Sequence, residues 1–568
     1  MSSIYSVWDV GLTLAVGLVL ARWLGSYMAR VFMGRPTLLD TLLGPFERGF
    51  FRLLGTHPRS SMGWKEYAVS LLLLNGLAMI FVFALLIMQG GLPLNAWGAP
   101  GMSWDLALHT SASFTTNTDF QHYAGEGQIS LLSALAGLEM LMFLSAVTGL
   151  AVIVAFIRGF VRRDGMIGNF WVDATRAATR IIVPLALVAA LVFLLLGVEQ
   201  TLSQSTSVSL LNGTVEAVPA GPLASWGGIE LLGTNGGGYF AANFGQPLQN
   251  PSALTNDVAV VIMMLIPFAT PFMFGEMVRR PKEAQPLIAA VLAIFVVALG
   301  LFFVFEIANP ALNGLPVSQA SGYAVMGGES RFTLGENSLF QVTSIYANVG
   351  ATSMALQSLT PGAQLVLLWG MFLQDAPGGV GTGFGMLLVN VLLAIFVGGL
   401  MVGRTPEYLG KKVGRSTMKW AAVTLLSHPF AVLIPLAITA AWPGLLAQAT
   451  GAGSGSQGFT QVLYEFTSES ANNGSGMGFP LGAGDASPYF NVVGAIIMLV
   501  GRFLPILAML AVGGALSRER IMPPGPGTLK TQSATFTAYF IVFVLVVSGL
   551  LFLPVLAMGP FSSGVTPP

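Results

Sequence analysis

The chain has no cysteine, four histidines among 568 residues, and charged side chains that make up 9% of the total. The missing cysteines exclude a disulfide framework and any thiolate-ligated metal centre. His57, His109, His122 and His428 are scattered without ligand spacing, so no histidine metal site is expected. Soluble domains carry about 25% charged residues, so this small share excludes an ordinary globular protein. Formal net charge is zero, which argues against a nucleic-acid partner. What is present instead is apolar: 54% of residues are hydrophobic and the mean hydropathy is +0.74. The composition is that of a membrane protein, with lipid as its surroundings. The amino-terminal MSSIYSVWDVGLTLAVGLVLARWLG has no basic residue before its apolar run and no A-x-A-like cleavage site. It reads as a retained first span.

A bilayer core needs about 20 apolar residues in a helix. Stretches of that length fall near 5–29, 66–89, 129–157, 177–198, 257–278, 285–308, 362–403, 420–446, 488–515 and 534–558. Polar segments rich in Gly, Ser, Thr and Asn lie at 90–128, 199–256, 309–361 and 447–487, and contain one basic residue, Arg331. The alternate connections are basic, from Arg30, Arg35, Arg48 and Arg52 after the first stretch to Arg518, Arg520 and Lys530 after the ninth. By the positive-inside rule the basic loops are cytoplasmic, the polar segments face outward, and both termini lie outside.

Each outward segment holds an amphipathic run too short to span: 104–115, 224–233, 337–346 and 460–470. A compact polar triplet follows each one. In order these are Thr116-Asn117-Thr118, Thr234-Asn235-Gly236, Asn348-Val349-Gly350 and Asn472-Asn473-Gly474. The pattern predicts an all-α polytopic protein of ten transmembrane helices. It has four membrane-pore-membrane repeats around a pseudo-fourfold axis and one extra helix at each end. The extra first helix and its cytoplasmic loop occupy 1–62. The repeats occupy 63–163, 164–280, 281–415 and 416–520, the third with a broken helix, and the extra last helix occupies 521–568.

Irregular backbone at membrane depth is tolerated only where it is buried in protein or lines a watery path. Half-helices entering from outside aim their C-terminal ends inward, where partial negative charge favours a cation. The triplets behind them can offer carbonyls and Thr/Asn oxygens in place of a hydration shell. Neutral oxygens suit a weakly hydrated monovalent ion, whereas a divalent site would want several carboxylates. Asp119, Glu126 and Glu469 are expected as exposed vestibule charges, Gln121 at the ion entrance, and His122 as an exposed loop residue. The seventh stretch is interrupted by QDAPGGVGTGFG (374–385). Pro377, Gly378, Gly379, Gly381 and Gly383 cannot sustain a helix there, and Asp375 would be costly facing lipid. With Gln374 they suggest a loop folded inside the membrane below the ion site, as a gate or plug.

TTNTDFQ (115–121), LLGTNGGGYFAANF (231–244), NPSALTN (250–256), GRTPEYLGKK (403–412), SANNGSG (470–476) and VGRF (500–503) together resemble the KdpA family, the potassium-binding subunits of the bacterial Kdp potassium-transporting ATPase. The resemblance runs essentially end to end. It implies a selectivity filter containing Asn117, Thr118, Asn235, Gly236, Gly350, Asn473 and Gly474, with Gln121 at its outer mouth. It implies a complex in the bacterial inner membrane with the catalytic P-type ATPase subunit KdpB, with KdpC and with the small KdpF. Potassium is the substrate and no cofactor is implied. The ion is expected to pass sideways through an intramembrane tunnel into the ATPase subunit. Arg404 and Arg502, read as the inner ends of the seventh and ninth stretches, are expected either to anchor the helices or to dock and couple that subunit.

Gly410-Lys411-Lys412 lacks the glycine-rich lead-in and hydroxyl residue of a Walker A loop, and no DKTGT-like sequence occurs. The chain is therefore expected to be non-catalytic. The rival readings are a stand-alone potassium channel or cation symporter, and an assembly subunit with a degenerate pore.

Overall fold

Long apolar runs become helices because, in lipid, every backbone amide and carbonyl must find its partner within the same segment. The computed structural model describes residues 2–240, 243–307, 327–450, 455–478, 487–521 and 529–565. Among them ten helices are long and apolar enough to cross a membrane. An opening helix α1 (Ser2–Phe32) leads to a short helix α2 (Asp40–Leu53). The first repeat is α3 (Trp64–Met88), a half-helix α4 (Trp104–Thr115) and α5 (Ser133–Val161). The second is α6 (Phe170–Leu195), half-helix α7 (Leu223–Leu232) and α8 (Ala253–Met277). The third is α9 (Pro281–Ile307), half-helix α10 (Leu334–Tyr346) and a divided span, α11 (Pro361–Leu373) and α12 (Thr382–Met401). The fourth is α13 (Arg415–Ala441), half-helix α14 (Ser456–Ala471) and α15 (Ser487–Leu516), and α16 (Ala534–Met558) is the last span, followed by a short helix at Pro560–Val565.

Burial sorts these helices into two layers. The hydropathic windows of α5, α8, α12 and α15 are 67% to 83% buried, while those of the other six spans are 22% to 44% buried. The inner layer is thus the last helix of each repeat, and the first helices with α1 and α16 form the rim. Small residues permit the close inner contacts. A Cβ on Gly159 of α5 would lie 2.6 Å from the Gly513 backbone of α15.

At the basic ends of the spans, the hairpin Glu407–Lys412 inserts a buried lysine. Lys411 Nζ donates to the carbonyls of Gly159 at 3.0 Å and Leu516 at 2.7 Å, and also to that of Arg162. One ammonium thereby caps the C-termini of α5 and α15, where the helix dipoles favour positive charge. Nearby, Arg180 of α6 binds both acids of α2: Glu47 through Nε and Nη2, each at 2.6 Å, and Asp40 through Nη1. Helix α2 is held by that face, and its opposite face exposes Leu42, Phe46, Phe50 and Leu53.

Candidate functional site

The four half-helices end in the same way. In each, the backbone N–H two or three residues beyond the last turn reaches back five residues. Thr118 bonds to Ser113 O at 3.0 Å, Asn235 to Glu230 O at 2.8 Å, Val349 to Ser344 O at 2.7 Å and Asn473 to Ser468 O at 2.9 Å. The residue just before each is left-handed: Asn117 at φ 65°, Thr234 at 50°, Asn348 at 52° and Asn472 at 56°. That closure turns the chain out of the helix into an extended segment and satisfies carbonyls the helix leaves open.

This geometry corrects the first triplet by one residue. The counterparts of Thr234-Asn235-Gly236, Asn348-Val349-Gly350 and Asn472-Asn473-Gly474 are Asn117-Thr118-Asp119. Thr116 belongs to the end of the helix, where its hydroxyl bonds Ser113 O at 3.0 Å and Thr118 Oγ1 at 2.8 Å. Asp119 takes the place that glycine holds in the other three segments, and its φ of 54° falls with those of Gly350 at 77° and Gly474 at 92°. Matching polar residues by type misses this, because a Thr-Asn pair opens the extended segment in the second repeat, whereas in the first the pair straddles its start, with Thr116 still in the helix end.

The four segments close a ring. Asn117 Nδ2 donates to Gly233 O at 3.2 Å and to Thr234 O at 2.5 Å, joining the first to the second. Thr352 N donates to Asn243 O at 3.2 Å, joining third to second. Asn473 Nδ2 donates to Ile345 O at 3.1 Å, joining fourth to third, and Asn472 Nδ2 reaches Thr118 Oγ1 at 2.8 Å to join fourth to first. Asn243 spans the ring, its Nδ2 3.4 Å from both Gly350 O and Gly474 O. The glycines have no room for a side chain. A Cβ on Gly236 would meet Thr118 O at 2.2 Å and Asn473 O at 2.4 Å, and one on Gly350 would meet Asn473 O at 2.0 Å. Gln121 is half-buried just beyond the first segment, its Nε2 3.0 Å from the Tyr123 hydroxyl.

The break in the third repeat folds against the inner side of this ring. Gln374 turns left-handed at φ 57° to end α11. Gly378 N then donates to Tyr346 O at 2.9 Å, and Val380 N to Thr234 Oγ1 at 3.0 Å. Gly381, at φ 74°, packs so closely on α5 that a Cβ would lie 2.2 Å from Gly149 O. Gly379 is buried in the loop beside Thr234, and Gly383 is buried in the first turn of α12 against Gly378. Pro377 is buried too. Asp375 is fully buried and accepts from Asn390 Nδ2 at 2.7 Å, away from lipid. Between loop and ring is a cavity of 20 Å³, lined by Asn348, Gln374, Thr382, Gly383, Asn472 and Arg502 among others. That is room for about one water.

Arg502 is therefore not at an inner helix end, as its sequence position suggested. It lies mid-way along α15, is 5% exposed, and donates to Thr382 Oγ1 at 3.2 Å and Ser145 O at 3.1 Å. Proline and glycine in the same apolar run concealed that depth. Arg404 does sit past the end of α12 and is exposed.

Three expected surface groups are also interior. Asp119 and Glu469 are fully buried, and His122 is half-buried with Nδ1 at 2.7 Å from Asn491 Oδ1 and Nε2 at 2.8 Å from Glu465 Oε1. His109 Nε2 is 3.3 Å from Glu469 Oε1. His109 on α4 and Glu469 on α14 are polar faces turned toward protein, so helical periodicity misreports which side is wet. His109, His122 and Glu469 bring ligand atoms within 4.8 Å of one another. The two imidazoles, however, are stacked 3.9 Å apart and only 16° from parallel. One metal ion cannot lie in both ring planes, so the cluster is a hydrogen-bonded network in this arrangement.

Four half-helices ending at one ring, inside four inner spans, define a multi-pass membrane protein of the membrane-pore-membrane class. The family model of the potassium-transporting ATPase A subunit, KdpA, matches residues 11–565. A potassium-transporting ATPase potassium-binding subunit from Gloeobacter violaceus is 39% identical over 566 residues, covering 97% of each chain. One from a Nostoc species is 41% identical over 559 residues, covering 98% of each. A crystal structure of the potassium transporter TrkH from Vibrio parahaemolyticus overlays with a TM-score of 0.49 at 17% identity, over 88% of this chain and 97% of that one. The chain belongs to the KdpA family.

Proposed function

We propose that this chain is the potassium-binding, channel-like subunit of an ATP-driven potassium importer in a bacterial inner membrane, with both termini outside. The observation that carries the reading is the closed ring of four extended segments at the C-terminal ends of four half-helices. Thr118, Asn235, Val349 and Asn473 stand at its equivalent positions. Their carbonyls, with those of the neighbouring residues, would replace the water shell of a potassium ion. Gln121 stands at the mouth. The chain's relatives are named as potassium-binding subunits of an ATPase, and the energy source is then a separate catalytic subunit, KdpB, with KdpC and KdpF completing the assembly.

The loop at 374–381 disfavours a simple channel. It fills the space under the ring down to a cavity of 20 Å³, so an ion released inward meets backbone and the Arg502 guanidinium. A lateral path toward the ATPase subunit is the remaining exit. Potassium-stimulated ATP hydrolysis by the purified assembly tests this directly. A chain that purifies alone and conducts potassium without ATP is the channel rival, and an assembly that hydrolyses ATP without binding potassium in this ring is the degenerate-pore rival.

A further inference from the structure

One acid stands where the other three segments have glycine. Asp119 shares with Gly236, Gly350 and Gly474 the place immediately after the residue that bonds back to its half-helix. It tolerates the left-handed backbone, as Asp and Asn can. Its side chain is fully buried, and neither Oδ1 nor Oδ2 has a hydrogen-bond partner among the described residues. A buried carboxylate with no partner is among the most costly groups a protein can hold. Something must repay that cost when the protein works. The groups within electrostatic reach are Glu230 from α7, Arg502 from α15, and Tyr123 from its own segment. Glu230 is a second buried acid with both oxygens unpartnered, so it adds no compensation. Arg502 attracts the carboxylate through space, but its hydrogen bonds go below the ring to Thr382 and Ser145, so it leaves both Asp119 oxygens without a donor. A cation in the ring would add to the compensation that Arg502 alone gives without a hydrogen bond.

We propose that Asp119 is an affinity- and specificity-determining residue, a fixed anionic charge behind one wall of the filter that attracts the bound ion without ligating it. This rests on the filter reading and deepens it. The side chain leaves the extended segment at the place where the ring's carbonyls are supplied by backbone. A Cβ on Gly237 of the second segment would lie 2.9 Å from Asp119 Cβ and 2.5 Å from Asp119 O, so side chain and carbonyl both pack tightly against that segment. Coulomb attraction scales with the charge of the ion. The same carboxylate therefore favours barium, a divalent ion of potassium's size, twice as strongly in energy as it favours potassium.

The experiment measures equilibrium binding of potassium and of barium to the purified assembly by calorimetric competition, for wild type, Asp119→Asn, Asp119→Gly and Gly236→Ser. The Gly variant puts at 119 the residue found at the other three equivalent positions and fits the left-handed backbone, so it covers a failure of the Asn variant to fold. The expected result is potassium affinity lowered on the order of tenfold in both position-119 variants, with barium lowered by the square of that factor, about a hundredfold. Equal losses for the two ions would mean a packing role, and unchanged affinities would mean an uncharged or remote carboxyl; either overturns the proposal. If Gly236→Ser also leaves binding intact, the filter reading itself fails. If Gly236→Ser abolishes binding while position 119 shows no valence dependence, only this proposal fails.

Discussion

Asn472 donates its side-chain amide to the Thr118 hydroxyl across 2.8 Å, joining the last extended segment to the first. The same nitrogen lies 3.3 Å from the carbonyls of Glu469 and Met498, so it ties the ring to α14 and α15 as well. Asn472→Gly keeps the left-handed backbone and removes the amide. Leaving a buried acceptor unpaired costs about 1–3 kcal/mol. Potassium affinity should fall by about fivefold or more while the assembly still purifies, and calorimetry reads the change. An unaltered Kd would show that this seam does not shape the ion site.

Gly236 faces Thr118 O at 2.2 Å and Asn473 O at 2.4 Å from any added Cβ. Gly236→Ser must push one or both carbonyls aside. Potassium binding should weaken tenfold or more, about 1.4 kcal/mol, and rubidium and ammonium should compete better. Wild-type affinity and ion ranking in this variant would remove Gly236 from the filter.

The loop under the ring makes a flux prediction. Deleting 377–382 removes the backbone that bonds to Tyr346 O and Thr234 Oγ1. Potassium should then cross reconstituted vesicles without ATP. A deletion variant that assembles and stays leak-tight would show that the barrier lies elsewhere.

Arg502 and Arg404 should behave differently. Arg502→Gln removes the positive charge from beneath the ring but leaves the ring's own bonds intact. Filter binding should persist within about threefold, while ATP-independent leak rises. Arg404 is exposed beyond α12, so Arg404→Gln should weaken copurification of the ATPase subunit and leave leak unchanged. Swapped phenotypes would reverse the two assignments.

Helix α2 has a pH signature. The Thr37 backbone N–H, at 2.8 Å, together with the Arg180 guanidinium and the Thr37 hydroxyl, holds the Asp40 carboxyl below its ordinary value of 3.8 against the opposing effect of burial. A carboxyl whose folded value is depressed adds stability that is fully present above its unfolded value and is lost as pH falls through the lower folded one. The tether should be constant from pH 7 to about 5 and weaken only below about 4. Limited proteolysis between α1 and α3 at stepped pH measures it, and Asp40→Asn should flatten the acid limb. An identical profile in wild type and variant would sever Asp40 from the tether.

Much of this was legible along the chain. Ten apolar runs became ten spans because lipid offers the backbone no other partner. Four repeats were visible because each places a half-helix before a polar segment, and Pro377 with its neighbouring glycines marked the break because neither residue type propagates a helix. These are local properties, set by periodicity and by what each residue permits its own backbone.

Other features were decided only by the packing of the whole. The register of the first segment depends on which N–H reaches back five residues to Ser113 O, and a Thr-Asn-Thr run offers more than one candidate. The burial of Asp119, Glu469 and His122 depends on distant segments closing over half-helices whose polarity alone suggests water. Arg502 looked like an anchor because basic residues gather at span ends, yet Thr382 and Ser145 meet it mid-helix from elements 120 and 357 residues away. A linear pattern carries the energy of a helix, because that energy is local. The identity of a ring's members is carried by long-range contacts, which exist only once the four repeats have folded against one another.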